Sequence, residues 1–311
     1  MSAKIVLLAA GDIGLATGIA INESEHQLLA VVSPPPKPSG RGRSLCLCPT
    51  NEWGENSKIS CLTTKSIRKD DEVKNKIKSL APDLIVIADF GQIVPQEIID
   101  LPKIACINVH PSLLPKYRGA APINWPIING DKTTGTTIMY ITEQLDAGDI
   151  ILQKEVEINP DDTSISLECR LAKESGNLLI KAIDVLLKGT ALRLKQDESK
   201  VCWAPKLEKE TGIIDWSLTA DNIVNRIRGL KPWPGTFTFR NGKILHIKKA
   251  IVTDASGMIG EVKVEKDSLI IVCGKNGIQI LEIQPEGKNT MDSKSFINGY
   301  RPENGEVWGN K

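Results

Sequence analysis

INVHPSLLPKYRGAAPINWPIINGDKTTGTTIMYITEQLDAGDI, residues 107–150, contains one His and three Asp in 44 positions. Asn108 and His110 alternate at the end of an apolar run, and Asp146 follows 36 residues after His110. A short run of continuous apolar residues reads as a strand of a parallel sheet buried on both faces. Residues 104–109 are therefore expected to form a strand. Asn108 and His110, two positions apart in extended chain, point the same way at or just past its carboxyl end. In open α/β sheets, ligands bind outside that end.

The residue types at this point suit acyl transfer to an amine. The amide NH₂ of Asn108 can hold an oxygen that becomes negative without competing for the proton of a nucleophile. His110 either adds to that stabilisation as a donor or, when neutral, accepts a proton from the attacking ammonium. Asp146, in the LDAGDI loop beside Gly148, can accept a hydrogen bond from His110 or an adjacent water and support proton transfer. Pro111 and Pro115 hold PSLLPKYRG out as one wall of a cleft. A lone His beside an Asp is as often a structural hydrogen-bonded pair, and on the residues alone both readings stand. Ser112 lacks the GxSxG setting of a serine nucleophile.

Outward from this stretch, residues 4–10, 27–32, 83–88 and 136–140 read as further strands, and 70–80 and 163–187 as helices, the second opened by Thr163 or Ser164. Strands separated by helices predict a Rossmann-like, mostly parallel α/β sheet. AAGDIG after the first strand keeps Gly11 and Gly14 but lacks a full GxGxxG, so no dinucleotide site is expected. SPPPKPSGRGRSLC (33–46) carries four Pro and two Gly, which rule out helix and central strand. At the ligand-facing end of such a sheet it reads as a substrate-contact loop. After Gly189 short strands dominate, at 236–240, 244–248, 260–264, 268–272 and 277–282, following a helix at 219–229. That pattern predicts a small closed or half-closed β-barrel of OB-like type. The expected organisation is a catalytic domain at 1–189, a polar linker at 190–206 and a barrel domain at 207–311.

Composition sets limits. At 311 residues, 41% hydrophobic and 25% charged, the chain reads as globular, with no apolar run long enough to span a membrane. Seven scattered Cys fit a reducing cytoplasm without a disulfide framework, and Cys46 and Cys48 are too close for a CxxC ligand pair. Three His exclude a His-rich metal centre. Net charge is only +1, but residues 37–69 hold seven Lys/Arg against two acids, and residues 206–249 nine against four. Two such patches can attract a polyanion, although solvated faces explain them equally well. Among the Trp residues, Trp216 and Trp233 are expected in the core, and Trp203 reads either as core or as a stacking residue.

The stretch at 107–150 closely resembles the formyl-transfer domain of the 10-formyltetrahydrofolate-dependent formyltransferases. Asn108, His110 and Asp146 match that family's catalytic Asn-x-His and later Asp, and SLLPKYRG its folate-side motif. GIIDWSLTADNIVNRIRGLKPWPGTFTF (212–239) and IQPEGKNTMDSKSFINGY are similar to the C-terminal domain of the branch that formylates initiator methionyl-tRNA. KPSGRGRSL (37–45) is similar to the basic loop with which that branch reaches its tRNA. The opening departs from the family, with LLAAGDIG (7–14) in place of an FxGTPxF-type turn and Asp12 in place of a neutral turn residue.

The resemblance implies direct formyl transfer to a methionyl amine on initiator tRNA. Asn108 and His110 would stabilise the oxyanion, with support from Asp146. The donor would be 10-formyltetrahydrofolate, without a metal. It would be bound by Phe90, Gly91, Gln92, Ile93, Val94, Ser112, Leu113, Leu114, Pro115, Tyr140 and Thr142. Implied tRNA contacts are Lys37, Arg41, Gly42, Arg43, Lys206, Lys209, Arg226, Arg228, Lys231 and Lys248. A cytoplasmic monomer without membrane association is expected. An amino sugar on a nucleotide remains an alternative acceptor, and an RNA-binding protein with a decayed enzyme domain an alternative class.

Overall fold

A computed structural model describes residues 2–39 and 44–309. The chain forms two compact units, Met1–Pro122 with Thr133–Glu157 and Glu168–Ala204, and Ile123–Lys132 with Ile158–Leu167 and Pro205–Lys311.

The first unit is built on a seven-stranded sheet. Its strands are β1 (Lys4–Ala9), β2 (Gln27–Ser33), β3 (Cys61–Thr63), β4 (Leu84–Ala88), β5 (Ala105–His110), β6 (Thr133–Tyr140) and β7 (Ile150–Glu157), in the order β7-β6-β5-β4-β1-β2-β3. Strands β3, β2, β1, β4 and β5 run parallel, and β6 pairs antiparallel with both β5 and β7. The Rossmann-like prediction holds, and each predicted strand is present within a few residues. KIVLLA and LIVIA are almost wholly buried, as continuous apolar runs covered on both faces require. The basis of β7 is different: only Ile150 and Ile151 are fully buried, and the polar LQKEVE continues as the sheet's edge. Helices α1 (Asp12–Asn22), α2 (Pro49–Asn56) and α3 (Asp71–Leu80) connect the parallel strands. Asp70 caps α3 by accepting from the Val73 N–H, and Val73 and Ile77 form its buried stripe. The long helix α5 (Ser164–Leu187) follows β7, after the short α4 (Asn124–Asn129).

In the second unit, β8 (Thr236–Arg240), β9 (Lys243–Thr253), β10 (Val262–Glu265), β11 (Ser268–Val272) and β12 (Gly277–Pro285) form an antiparallel sheet in the order β8-β9-β12-β11-β10. A sixth strand, β13 (Met291–Asp292), pairs with β12. Helices α6 (Ala220–Gly229) and α7 (Ser293–Tyr300) complete the unit. Their apolar side chains join Trp216, Phe296, Trp308 and the inward residues of the strands in one core.

Of the expected closed or half-closed barrel, the closed form is not what the strand pairings give. Among the described residues, the edge strands β8 and β10 do not pair with each other. The C-terminal segment runs beside both edges instead. Trp308 N–H donates to the Gly260 carbonyl, Val262 N–H to the Glu306 carbonyl, and Gly309 N–H to the Phe239 carbonyl. The reading of Trp233 is also corrected. Trp216 is buried and donates to Thr238 Oγ1 at 3.1 Å, but Trp233, between Pro232 and Pro234, is 55% exposed.

Candidate active site

Asn108 and His110 occupy adjacent same-face positions at the end of β5, with Asn108 opposite Ile87 and Met139 and His110 opposite Thr137. The Asn108 carboxamide is half-buried and has no hydrogen-bond partner among the described residues. In an edge-to-edge packed sheet, a polar group left free at the ligand-facing end is available for a ligand. His110 is buried, and its Nε2 lies 3.0 Å from the Tyr117 carbonyl oxygen. A carbonyl only accepts, so Nε2 carries the hydrogen and Nδ1 is the open nitrogen. Nδ1 lies 3.8 Å from Asp146 Oδ1.

Asp146 is held from several sides. Its Oδ2 accepts the Gly119 N–H at 2.9 Å, and its backbone sits at φ +51. Gly148, two residues on, passes so close to Tyr140 that a Cβ there would lie 1.7 Å from its carbonyl oxygen. Gly119 has φ +120 and presses on Ala204. The PSLLPKYRG wall is itself tied down. Ser112 Oγ donates to the Lys116 carbonyl, Thr137 Oγ1 to the Ser112 carbonyl, and Gln153 Nε2 to the Leu114 carbonyl. The Ser112 hydroxyl is thus spent on its own loop.

The expected folate segments meet beside this cluster. Phe90 is buried, and Val94 and Ile141 pack against its cluster, while Ile141 also packs against Leu114, Met139 and Ile150. Gly91, at φ +69, has open space around it, and Ile93 and Leu145 are exposed. Gln92 spends its amide on the Thr64 carbonyl and the Ile67 N–H. Leu113 packs against Gly135, and Pro115 follows a cis peptide from Leu114. Tyr140 lies under the Arg193 guanidinium at 3.8 Å, and Thr142 Oγ1 donates to the Gln144 carbonyl.

A second group of acids was not anticipated. Asp89, at φ +51 just past β4, receives the Gly11 N–H, and a Cβ on Gly11 would lie 1.8 Å from its Oδ2. Burial first, and then the Asp12 carboxylate, push Asp89 up to about 6. Burial, with Asp12 and Asp89 next, pushes Glu168 up to about 7. The divergent AAGDIG turn therefore fits the Asp89 carboxyl: only Gly at position 11 lets Asp89 approach the backbone so closely. Nothing in the motif pattern pointed to Asp89, because its approach to Gly11 spans 78 residues.

The expected tRNA contacts separate into two kinds. Lys206 and Lys209 are exposed, Lys231 and Lys248 are half-buried, and none of the four has an ion-pair partner among the described residues. Burial first, then Lys231, lowers Lys248, which places those two cations near each other. Arg226 and Arg228 are turned inward instead. Arg226 donates to the Thr211 carbonyl, and Arg228 to the Asp162 carbonyl and Asn225 Oδ1. Their charges brace their own unit. Lys37 is exposed in a short strand, Lys37–Ser39, that pairs with Ser44–Cys46; Arg41, Gly42 and Arg43 lie outside the described residues.

Among the described residues there is no group of three or more His, Cys, Asp or Glu that could hold a metal ion, and no helix long and apolar enough to cross a membrane. Residues 3–183 match the formyl transferase family model and residues 206–301 the model of the formyl transferase C-terminal domain. The methionyl-tRNA formyltransferase of Geobacter sulfurreducens is 38% identical over 97% of this chain and 95% of its own length. That of Caldanaerobacter subterraneus subsp. tengcongensis is 40% identical over 98% and 99%. An N-formyltransferase from Helicobacter canadensis, solved with folinic acid and dTDP-3-aminofucose, superposes with a TM-score of 0.66. At 20% identity over 92% of this chain and 100% of that one, it reports the fold. With nearly full-length identity of this order and both domain models matched, the chain belongs to the methionyl-tRNA formyltransferase family.

Proposed function

We propose that this protein transfers the formyl group of 10-formyltetrahydrofolate to the α-amino group of methionine esterified to initiator tRNA. The observation that carries the reading is the free Asn108 carboxamide beside His110, whose open Nδ1 faces Asp146 at 3.8 Å. The residues present fit the folate: an unpartnered amide at the strand end, open space at Gly91, and exposed Ile93 and Leu145 at the adjoining segments. When bound, 10-formyltetrahydrofolate supplies the carbon transferred, as a formyl group on N10.

The chain's own residues then divide the work. Asn108 donates its N–H to the formyl oxygen as negative charge grows there, an interaction stronger in the transition state than before it. His110, with Nε2–H spent on Tyr117, accepts the proton of the attacking amine at Nδ1. The ring so charged faces Asp146, which stabilises it, and from Nδ1 adds a donor beside Asn108. As the new bond from the amine nitrogen to the formyl carbon is completed and the bond from that carbon to N10 breaks, His110 gives the proton to N10, and tetrahydrofolate leaves. Phe90, Gly91, Ile93, Val94, Leu113, Leu114, Pro115, Tyr140 and Thr142 form the folate side. Gln92 and Ser112 shape it by holding their loops.

The tRNA acceptor is held by phosphate contacts from Lys37, Arg41, Gly42, Arg43, Lys206, Lys209, Lys231 and Lys248. Such contacts position without reading sequence. We read the second unit as an OB-like barrel completed by the segment 306–309, a platform suited to nucleic acid. The protein acts in the cytoplasm as a monomer. Incubation with 10-formyltetrahydrofolate and charged initiator tRNA, with a UDP-amino-sugar as competing acceptor, tests the reading. Formyl-methionyl-tRNA is the expected product; formylated sugar with untouched tRNA would overturn the choice of acceptor.

A further inference from the structure

The segment after α5 carries Gln196 into the same unit as the catalytic cluster, where it reaches the Asp146 loop. Its Nε2 donates to the Asp146 and Gly148 carbonyl oxygens, at 2.8 Å each. Its Oε1 accepts from Arg118 Nε at 3.0 Å and Nη2 at 2.8 Å. The orientation of the amide is fixed by its partners, since two carbonyls can only accept and a guanidinium can only donate. Arg118 is 4% exposed and is pinned in turn by a two-pronged pair with Glu198, Nη1 to Oε2 at 3.2 Å and Nη2 to Oε1 at 2.8 Å. Arg118 also precedes Gly119, whose N–H holds the Asp146 carboxylate. The two anchors of Asp146, one on its side chain and one on its main chain, therefore trace back to neighbouring residues of one loop.

We propose that Gln196 is a positioning residue for formyl transfer: it fixes the backbone of the Asp146–Gly148 turn, and so aims the Asp146 carboxylate at His110. The inference rests on the reading that Asp146 supports His110 during transfer. Asp146 sits at φ +51, a conformation uncommon outside glycine that Asp can adopt. The carbonyls that Gln196 clamps are that of Asp146 itself and that of Gly148, two residues on. Side chains that hold a reacting group in place govern rate steeply, with a misplacement of about 1 Å costing about 10²-fold. The amide links the two groups, its oxygen accepting from the Arg118 guanidinium while its NH₂ donates to the two carbonyls.

Four variants test this in formyl transfer to charged tRNA: Gln196→Ala, Gln196→Glu, Asp146→Asn and the double Gln196→Ala/Asp146→Asn. Thermal melting confirms that each is folded. Gln196→Ala is expected to lower kcat by about 10–100-fold, with KM for either substrate within about threefold. Gln196→Glu keeps an acceptor for Arg118 but has no donor for the two carbonyls, and is expected to fall equally. The double variant is expected to be no slower than Asp146→Asn, because both changes act through one group. Gln196→Glu at the parent rate would overturn the proposal, as would losses that multiply in the double variant. A slow Asp146→Asn with a normal Gln196→Ala would refute the role of Gln196 alone. An Asp146→Asn at the parent rate would remove the reading of Asp146 as well.

Discussion

Replacing Asp146 by Asn removes one charge and little else. Asn is among the residues that tolerate a positive φ, so the +51 backbone of this position is retained. The Asn carbonyl oxygen still accepts the Gly119 N–H that Asp146 Oδ2 receives at 2.9 Å. What is lost is attraction for the imidazolium that forms when His110 Nδ1, 3.8 Å away, takes the proton of the amine. At that separation and an effective dielectric of about 20, the attraction is about 4 kcal/mol. Each 1.36 kcal/mol is tenfold in rate, so kcat is expected to fall by up to about 10³-fold. The attraction acts on charge that forms during transfer, so KM for 10-formyltetrahydrofolate should stay within about threefold. The assay is formyl transfer to charged tRNA at saturating folate, with denaturant unfolding to show that stability moves by less than about 1 kcal/mol. A loss in kcat below about tenfold, or a loss confined to KM, would refute a charge-stabilising role.

Three further outcomes follow from the geometry. Asp89 is pushed up to about 6, so its carboxyl stays protonated in the folded chain while the unfolded one ionises from about pH 4 upward. The cost to stability grows between about pH 4 and 6 and is complete above that. Asp89→Asn is therefore expected to stabilise at pH 7.5, by no more than about 1 kcal/mol because solvent screens so exposed a residue, with the gain vanishing near pH 4 in urea unfolding, whereas a pH-independent effect would refute it. Gly119→Ala places a Cβ 2.7 Å from the Ala204 carbonyl at φ +120. It should cost about 1–3 kcal/mol in thermal unfolding and at least about tenfold in kcat; normal kcat would separate Gly119 from the site. Affinity for tRNA should fall by more than about tenfold between 50 and 200 mM salt, with folate affinity nearly constant, and equal sensitivities in parallel titrations would contradict phosphate contacts by the lysines.

The part of the fold that was legible in sequence is the part in which hydrophobic runs carry it. Strands such as KIVLLA and LIVIA are buried on both faces, and Asn108 and His110 stood out because they break such a run at its end. Strand β7 was not foreseen because an edge strand with the polar LQKEVE has no strong pattern. Helix α2, PTNEWGEN, was missed for a related reason: its buried residues are Thr50, Asn51 and Gly54 instead of large apolar ones. In α6, Arg226 and Arg228 read as surface cations by type, whereas their guanidiniums satisfy internal carbonyls. Exposed Trp233 reversed the opposite expectation. Gln196 lay in LKQDESK, whose polarity reads as a solvated linker, and its partners Arg118, Asp146 and Gly148 are 48–78 residues distant. Long-range polar contacts of this kind leave no periodicity along the chain. In the Asn–His–Asp constellation, spacing placed Asn108 beside His110 but left the catalytic and structural readings of Asp146 open, and the family resemblance joined the three.

The most direct test of the site is the rate of formyl transfer from 10-formyltetrahydrofolate to charged initiator tRNA by the parent protein and Asn108→Ala, measured side by side. Loss of the Asn108 donor, which has no partner among the described residues, is expected to lower kcat by about 10²–10³-fold with the protein still folded. Asn108→Ala transferring formyl at the parent rate would contradict the assignment of this site.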